Sequence, residues 1–230
     1  MISDQYFVCA NHYPPSGQLD FYSPTRGMVV SYSVSGTTWQ FNDPITGQPG
    51  DFCVGKLSSA LNPADGIATY PILELSAQNN YAAYTGLPLL TYGHDNGTGT
   101  GPRIGQDIIA GFATIDTSGD HIDDTFTVYH TCESLSPAGT AYYVGGDSSG
   151  PLFVPYNGSL ARIGTHSAVG TDDDTPGVTY NFDNFIPAYL SEMTSQGISF
   201  TTVPEPAQAG VVFAFCAVAG FWLRRWRQRP

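Results

Sequence analysis

Short runs rich in Val, Thr, Tyr and Phe recur along the chain, and clusters of Gly, Pro, Asn and Ser cut them at close intervals. Runs this short do not carry long helices; alternating apolar segments bounded by turn residues build strands. Residues 1–10 read as a strand ending at Asn11-His12, residues 27–34 alternate as another, and Ser35-Gly36 turns before 38–41 continues. A Pro/Gly-rich loop, 42–50, leads into an apolar strand at 51–57. Further strands are expected at 107–113 and 125–129 around an acidic turn, and at 152–155 and 160–167, joined by Tyr156-Asn157-Gly158. Within the body, a helix is expected only at 184–193. The fold class is therefore all-β, a barrel or sandwich with a short C-terminal helix. The low charged share, 12%, and the abundance of Gly (26) and Pro (17) agree with that class.

The formal net charge is −12, yet Arg224, Arg225, Arg227 and Arg229 are half of the eight basic residues, and every acidic residue precedes Pro206. The body is thus strongly acidic, which argues against a nucleic-acid partner. None of Cys9, Cys53, Cys132 and Cys216 forms a CxxC pair, so no zinc site is expected, and no cofactor either.

The C-terminal end reads Val203-Pro204-Glu205-Pro206, then an apolar run at 209–223, then the arginines. As a helix the run is about 22 Å long, short of the hydrocarbon core. It spans only with Trp222 and Trp226 at one interface and the arginines on the cytoplasmic side; a buried core helix is the other reading. The three features in this order resemble a PEP-CTERM sorting signal over 203–230. The resemblance implies export to the cell envelope or beyond, transient membrane anchoring, and removal of the tail by an exosortase-type processing enzyme. Met1-Ile2-Ser3-Asp4-Gln5 has neither the charged nor the apolar part of an export signal, so the reading frame is expected to begin upstream.

Chemistry concentrates in Gly145-Gly146-Asp147-Ser148-Ser149-Gly150-Pro151. A serine hydroxyl attacks a carbonyl only when a base takes its proton and backbone N–H groups receive the oxyanion. A glycine-rich loop leaves the backbone accessible for both. An ordinary Gly/Ser turn is the alternative. Gly146-Asp147-Ser148-Ser149-Gly150 also fits the nucleophile elbow of α/β-hydrolases, but that fold wants a helix after the serine and the order Ser, Asp, His. Here Pro151 and an apolar run follow, and the last histidine, His166, precedes Asp172, Asp173 and Asp174.

The order His, Asp, Ser holds instead. Phe7-Val8-Cys9-Ala10-Asn11-His12-Tyr13 and Gly50-Asp51-Phe52-Cys53-Val54-Gly55-Lys56-Leu57, together with the serine loop, resemble the three motifs of the chymotrypsin family. The resemblance covers roughly residues 2–193. It implies two six-stranded antiparallel β-barrels, at about 1–85 and 86–200, the first lacking its opening strands. It implies hydrolysis of a protein or peptide substrate, with His12 as general base, Asp51 orienting it, Ser148 as nucleophile, and Gly146 and Ser148 as oxyanion donors. Tyr142 falls at the floor of the specificity pocket, which argues against cleavage after Arg or Lys. The strand at 164–170 resembles the one that pairs with substrate, through Ser167, Ala168 and Val169.

Alternatives remain for each partner. Asp43 and Asp65 are the fallback aspartates, and His94, His121, His130 and His166 the other histidines. Ser149 stands where the family has Gly, and Tyr13 where a disulfide cysteine often follows the histidine. Cys9 and Cys53 are either a cross-strand disulfide or two core thiols. The turns with Asp116, Asp120, Asp123 and Asp124 are solvated loops or a calcium site without EF-hand spacing. An inert protein that keeps the fold is the competing function.

Overall fold

A computed structural model describes residues 1–75, 81–93, 103–133, 143–171 and 177–204. The sorting-signal resemblance, Tyr142, His94 and Asp172–Asp174 lie wholly or almost wholly outside them. Four strands build the first sheet: β1 (Tyr6–Ala10), β2 (Gln18–Ser23), β3 (Met28–Asn42) and β4 (Pro49–Leu57), antiparallel in the order β1-β4-β3-β2. The second sheet adds β5 (Ile72–Glu74), β6 (Pro88–Gly93), β7 (Arg103–Ile108), β8 (Gly111–Ile115) and β9 (Thr125–Glu133). It is completed by β10 (Pro151–Tyr156), β11 (Ser159–Thr171), β12 (Val178–Phe185) and β13 (Thr202–Pro204). Its antiparallel path runs β7-β6-β10-β11-β12-β9-β8, with β5 parallel to β11 and to β13. The all-β expectation holds, and the first body, expected to be a barrel lacking its opening strands, is a four-stranded sheet.

Several boundaries differ from the sequence reading for local reasons. No turn breaks β3 at Ser35-Gly36: the strand continues through an irregularity in its pairing with β4 between Val34 and Thr38. Residues 107–113 split between β7 and β8. The expected helix starts late, because Asn184 and Phe185 finish β12; a 3-10 turn, Ile186–Tyr189, then leads into α1 (Leu190–Ser195). The β10–β11 hairpin turns where foreseen, with Asn157 and Gly158 both at positive φ, as a two-residue type I′ turn requires.

The strands that carry the site are buried on both faces. Val8, Phe52 and Val54 of β1 and β4 point into the main core, which also holds Leu89, Val128, Leu152, Ile163 and Phe185 of the second sheet. Phe7, Cys9, Cys53 and Leu57 point the other way, into a smaller cluster with Leu19, Phe21, Tyr32 and Ile67 at its edge. This explains why 51–57 reads as an unbroken apolar run. The Tyr189 ring stacks on Phe52 at 4.4 Å between centroids, and its hydroxyl donates to Asp43 at 2.7 Å. Asp43 also accepts the N–H groups of Ile45, Thr46 and Phe126. It is a junction between the 3-10 turn, β9 and the β3–β4 loop, not a partner of a histidine.

Gly55 lies opposite Phe7 across β1–β4, and a Cβ there would enter the Phe7 ring. Gly55→Ala is expected to cost about 2 kcal/mol by overpacking, read as a lower urea midpoint with an unchanged slope. Cys9 and Cys53 also face each other in this register as buried free thiols, with sulfurs 2.7 Å apart. The Cys9 contact and burial push the Cys53 thiol far up. In the acidic turn, Asp116 accepts the N–H groups of Gly119 and His121, and Asp124 those of Thr117 and Ser118. Both carboxylates thereby serve their own loop.

Candidate active site

Asp51 enters β4 just past the end of β1. Three contacts from the second sheet fix it there. Its N–H donates to Thr125 Oγ1 at 2.9 Å, its carbonyl accepts Asn184 Nδ2 at 3.3 Å, and its Oδ2 accepts the Ser167 hydroxyl at 2.5 Å. Its side chain is 3% exposed. His12 sits in the turn after β1, one face open. Its backbone N–H donates to Asp51 Oδ1 at 2.9 Å, and its Nδ1 lies 2.9 Å from both Asp51 oxygens. A carboxylate only accepts, so Nδ1 carries the proton and Nε2 is left as the acceptor. The hydrogen bond to Asp51 raises the His12 pKa above its ordinary value; partial burial opposes this, and the Asp51 charge adds to it.

Ser148 approaches from the second sheet, in the loop before β10. Its Oγ is 3.0 Å from His12 Nε2. The loop is shaped around Asp147: the Asp147 N–H donates to the Val144 carbonyl at 3.0 Å, and the Val144 N–H returns a bond to Asp147 Oδ2 at 2.9 Å. Arg103 of β7 reaches the same Oδ2 with Nη2 at 3.2 Å. Gly146 has φ +99°, open to glycine and strained for other residues. A Cβ on Gly150 would sit 2.8 Å from the Tyr92 carbonyl and 2.9 Å from that of Asp147. Both glycines are therefore dictated by the loop's path. Among the described residues, no acceptor takes the N–H of Gly146 or of Ser148.

No family model matches the chain, and no curated protein does. Among solved structures, the atomic-resolution structure of HBP shares 14% identity over 89% of this chain and 87% of that one, with a TM-score of 0.57. Human heparin binding protein shares 16% over 85% and 82%, with a TM-score of 0.55. The NS6 protease from murine norovirus 1 covers 87% of this chain and 89% of its own at 16% identity, with a TM-score of 0.46. The fold is chymotrypsin-like. Likeness at such identity speaks for chain path alone. That path removes the nucleophile-elbow alternative, since Ser148 is followed by strand β10 and not by a helix.

In this chymotrypsin-like frame a pocket of about 90 Å³ opens beside Ser148, lined among others by Tyr143, Gly145, His166, Ala168 and Val169. Ala168 is half-buried and Val169 exposed on β11, at an irregularity in its pairing with β12 after His166. Ser167 belongs to the same lining but turns its hydroxyl to Asp51, a use the sequence reading did not assign. The His166 and Tyr143 side chains of this wall belong to a buried polar group: His166 Nδ1 meets Asp183 at 2.5 Å, the Tyr143 hydroxyl donates to Asp183 at 2.8 Å, and His166 Nε2 meets Thr91 Oγ1 at 2.9 Å. Burial, and then the Asp183 charge, push the Tyr143 phenol well up, so it stays a donor. His166 and His130, the latter paired with Asp107, are thus engaged away from Ser148, and His121 binds Asp116 through its backbone. Asp65 is held by Arg26 at 2.6 Å and by the Tyr32 hydroxyl. Among the described histidine, aspartate and serine candidates for the triad, His12, Asp51 and Ser148 are hydrogen-bonded in series, with Ser167 on the far side of Asp51.

Proposed function

We propose that the chain is a serine endopeptidase. The observation that carries this is the series Ser148 Oγ, His12 Nε2, His12 Nδ1, Asp51, closed at 3.0 and 2.9 Å. In the proposed reaction Ser148 Oγ attacks the peptide carbonyl carbon while its proton passes to His12 Nε2. The Gly146 and Ser148 N–H groups receive the oxyanion. Collapse breaks the C–N bond, and His12 returns the proton to the leaving amine. Water, deprotonated in turn by His12, then releases the acid product and regenerates Ser148. Asp51 keeps the Nδ1 tautomer and offsets the imidazolium charge. Ala168 and Val169 offer the exposed edge along which substrate pairs, and Ser167 supports Asp51 from behind.

Export and trimming of the tail at 203–230 by an exosortase-type enzyme belong to the same proposal, supported by the order of features in the sequence. A secreted product whose mass ends near Pro204-Glu205-Pro206 is expected; intact tails in the mature protein would remove this part.

The chemistry is tested with a fluorophosphonate on the full chain. One equivalent is expected on Ser148 by peptide mass mapping, and none on the Ser148→Ala chain. A folded chain that takes no label is the inert alternative. The pH dependence follows from His12. Its raised pKa means the native state favours the imidazolium. The stability gained from this is present below the unfolded value of about 6.5 and is lost as pH rises through the folded value. Activity runs oppositely, since the base must be neutral. The acid limb of kcat/KM is expected to have its midpoint above 6.5, the ordinary histidine value. A midpoint at or below that value would remove the Asp51 contact from the mechanism.

A further inference from the structure

Ser149 occupies a conformation that its residue type disfavours. Its φ is +69°, and among the described residues only His121 and Asn157 share a positive φ without being glycine. Asn157 turns a hairpin and His121 closes an exposed loop. Ser149 stands beside the nucleophile, and strain of this kind persists only where the surroundings over-determine it.

Those surroundings are specific. The Ser149 hydroxyl accepts the Ala10 N–H at 2.9 Å and donates to the Tyr13 carbonyl at 3.2 Å. Ala10 and Tyr13 bracket Asn11-His12 in a turn closed by the Tyr13 N–H on the Ala10 carbonyl at 3.2 Å, and the one hydroxyl ties both ends of that turn to the serine loop. On its other side, the Ser149 N–H donates to the His166 carbonyl at 3.0 Å, and the His166 N–H donates to the Gly150 carbonyl at 2.9 Å. Among the described residues β1 is an edge strand, paired only with β4, and Ala10 is fully buried, so its outward N–H must find a partner across the gap between the sheets. Ser149 is that partner. A glycine would relax the backbone but leave the Ala10 N–H and the Tyr13 carbonyl without this link.

We propose that Ser149 is a positioning residue, a hydrogen-bonded clasp that locks the His12 turn to the nucleophile loop and so sets the His12–Ser148 distance. The inference rests on the hydrolase reading for its kinetic consequence, though not for the clasp itself. Ser149→Gly removes the hydroxyl and the strain together; Ser149→Ala removes the hydroxyl alone. Both are expected to lower kcat on a peptide substrate by about 10- to 100-fold, the effect of a small misplacement of reacting groups, with KM changed less than about twofold. The fluorophosphonate rate should fall in parallel while labelling still reaches one equivalent. Ser149→Gly should do this without a lower Tm, whereas a merely structural serine would change Tm and leave kcat alone.

Amide hydrogen exchange reads the clasp whether or not the chain is a hydrolase. The Ala10 amide is expected to be protected in the native chain and to exchange at least tenfold faster in Ser149→Gly, with Val8 unchanged. Unaltered Ala10 exchange overturns the clasp. Faster exchange with unaltered kcat and labelling overturns its positioning role. A native chain without labelling but with the exchange result would refute the hydrolase reading and leave the clasp standing.

Discussion

Asp51→Asn is expected to lower kcat/KM on a peptide substrate by about 10⁴-fold, with the folded structure kept. Asp51 accepts three donors through its carboxylate: the His12 N–H, His12 Nδ1–H and the Ser167 hydroxyl. An asparagine has one acceptor oxygen, and its amide nitrogen donates. Whichever way the amide turns, one of these donors faces an N–H₂ group. If that donor is Nδ1, the imidazole responds by moving its proton to Nε2, where it meets Ser148 as a donor and no longer accepts the Oγ proton. The Asp51 contact is also the first cause of the raised His12 pKa. The residual activity of Asp51→Asn should therefore show its acid limb displaced toward the ordinary histidine value. The measurements are kcat/KM against pH and an NMR titration of the His12 ring. A loss of less than tenfold, with the limb unmoved, would remove Asp51 from the site.

Arg103→Gln should impair the site from farther away. The Asp147 side chain is 1% exposed and the Arg103 side chain 35%. Stripping the guanidinium takes an ion-pair partner from a buried carboxylate, at an expected cost of about 3 kcal/mol. For a domain of this size that is a fall in Tm of roughly 10 °C. Because Asp147 also holds Val144 through its backbone, the residues carrying Gly146 and Ser148 would lose their fixed geometry, and kcat would fall along with Tm. Arg103→Lys keeps the charge without the planar fork and should recover part of both. The decisive comparison is a double-mutant cycle with Asp147→Asn. Additive losses across Arg103 and Asp147 would show that the pair is not coupled.

Much of this was legible in the sequence, and the remainder was not, for reasons tied to particular residues. The Gly-Asp-Ser loop, the strand ending in Ala10-Asn11-His12 and the aspartate opening an apolar strand are local patterns, and these three segments do converge. The Asn157-Gly158 turn is local in the same sense. By contrast, the use of Ser167 depends on β11 meeting β4 across two sheets, and nothing near Ser167 in the chain announces a carboxylate. Arg103 and Asp147 meet because β7 and the serine loop flank β6; His166 and Asp183 meet because of the β11–β12 register. β2 was missed because its half-buried alternation follows a Pro-rich loop with no apolar run to mark it. The helix boundary slipped because Phe185 belongs to the main core as a strand residue before the chain turns.

His12 and Asp51 ride on one sheet and Ser148 on the other, joined through Thr125, Asn184, Ser167 and Ser149 and through the stack of Phe52 on Tyr189. On the proposed hydrolase reading, labelling of Ser148 is therefore a gauge of docking. Each sheet could keep its own ladder of backbone hydrogen bonds while the two drift apart by an ångström, and circular dichroism would register little. The 3.0 Å contact between His12 and Ser148 would not survive such a drift. Loss of label along a denaturant series thus reports the interface, whereas loss of strand signal reports the sheets. The gap between the two curves measures how far this chain's halves hold together as one cooperative unit.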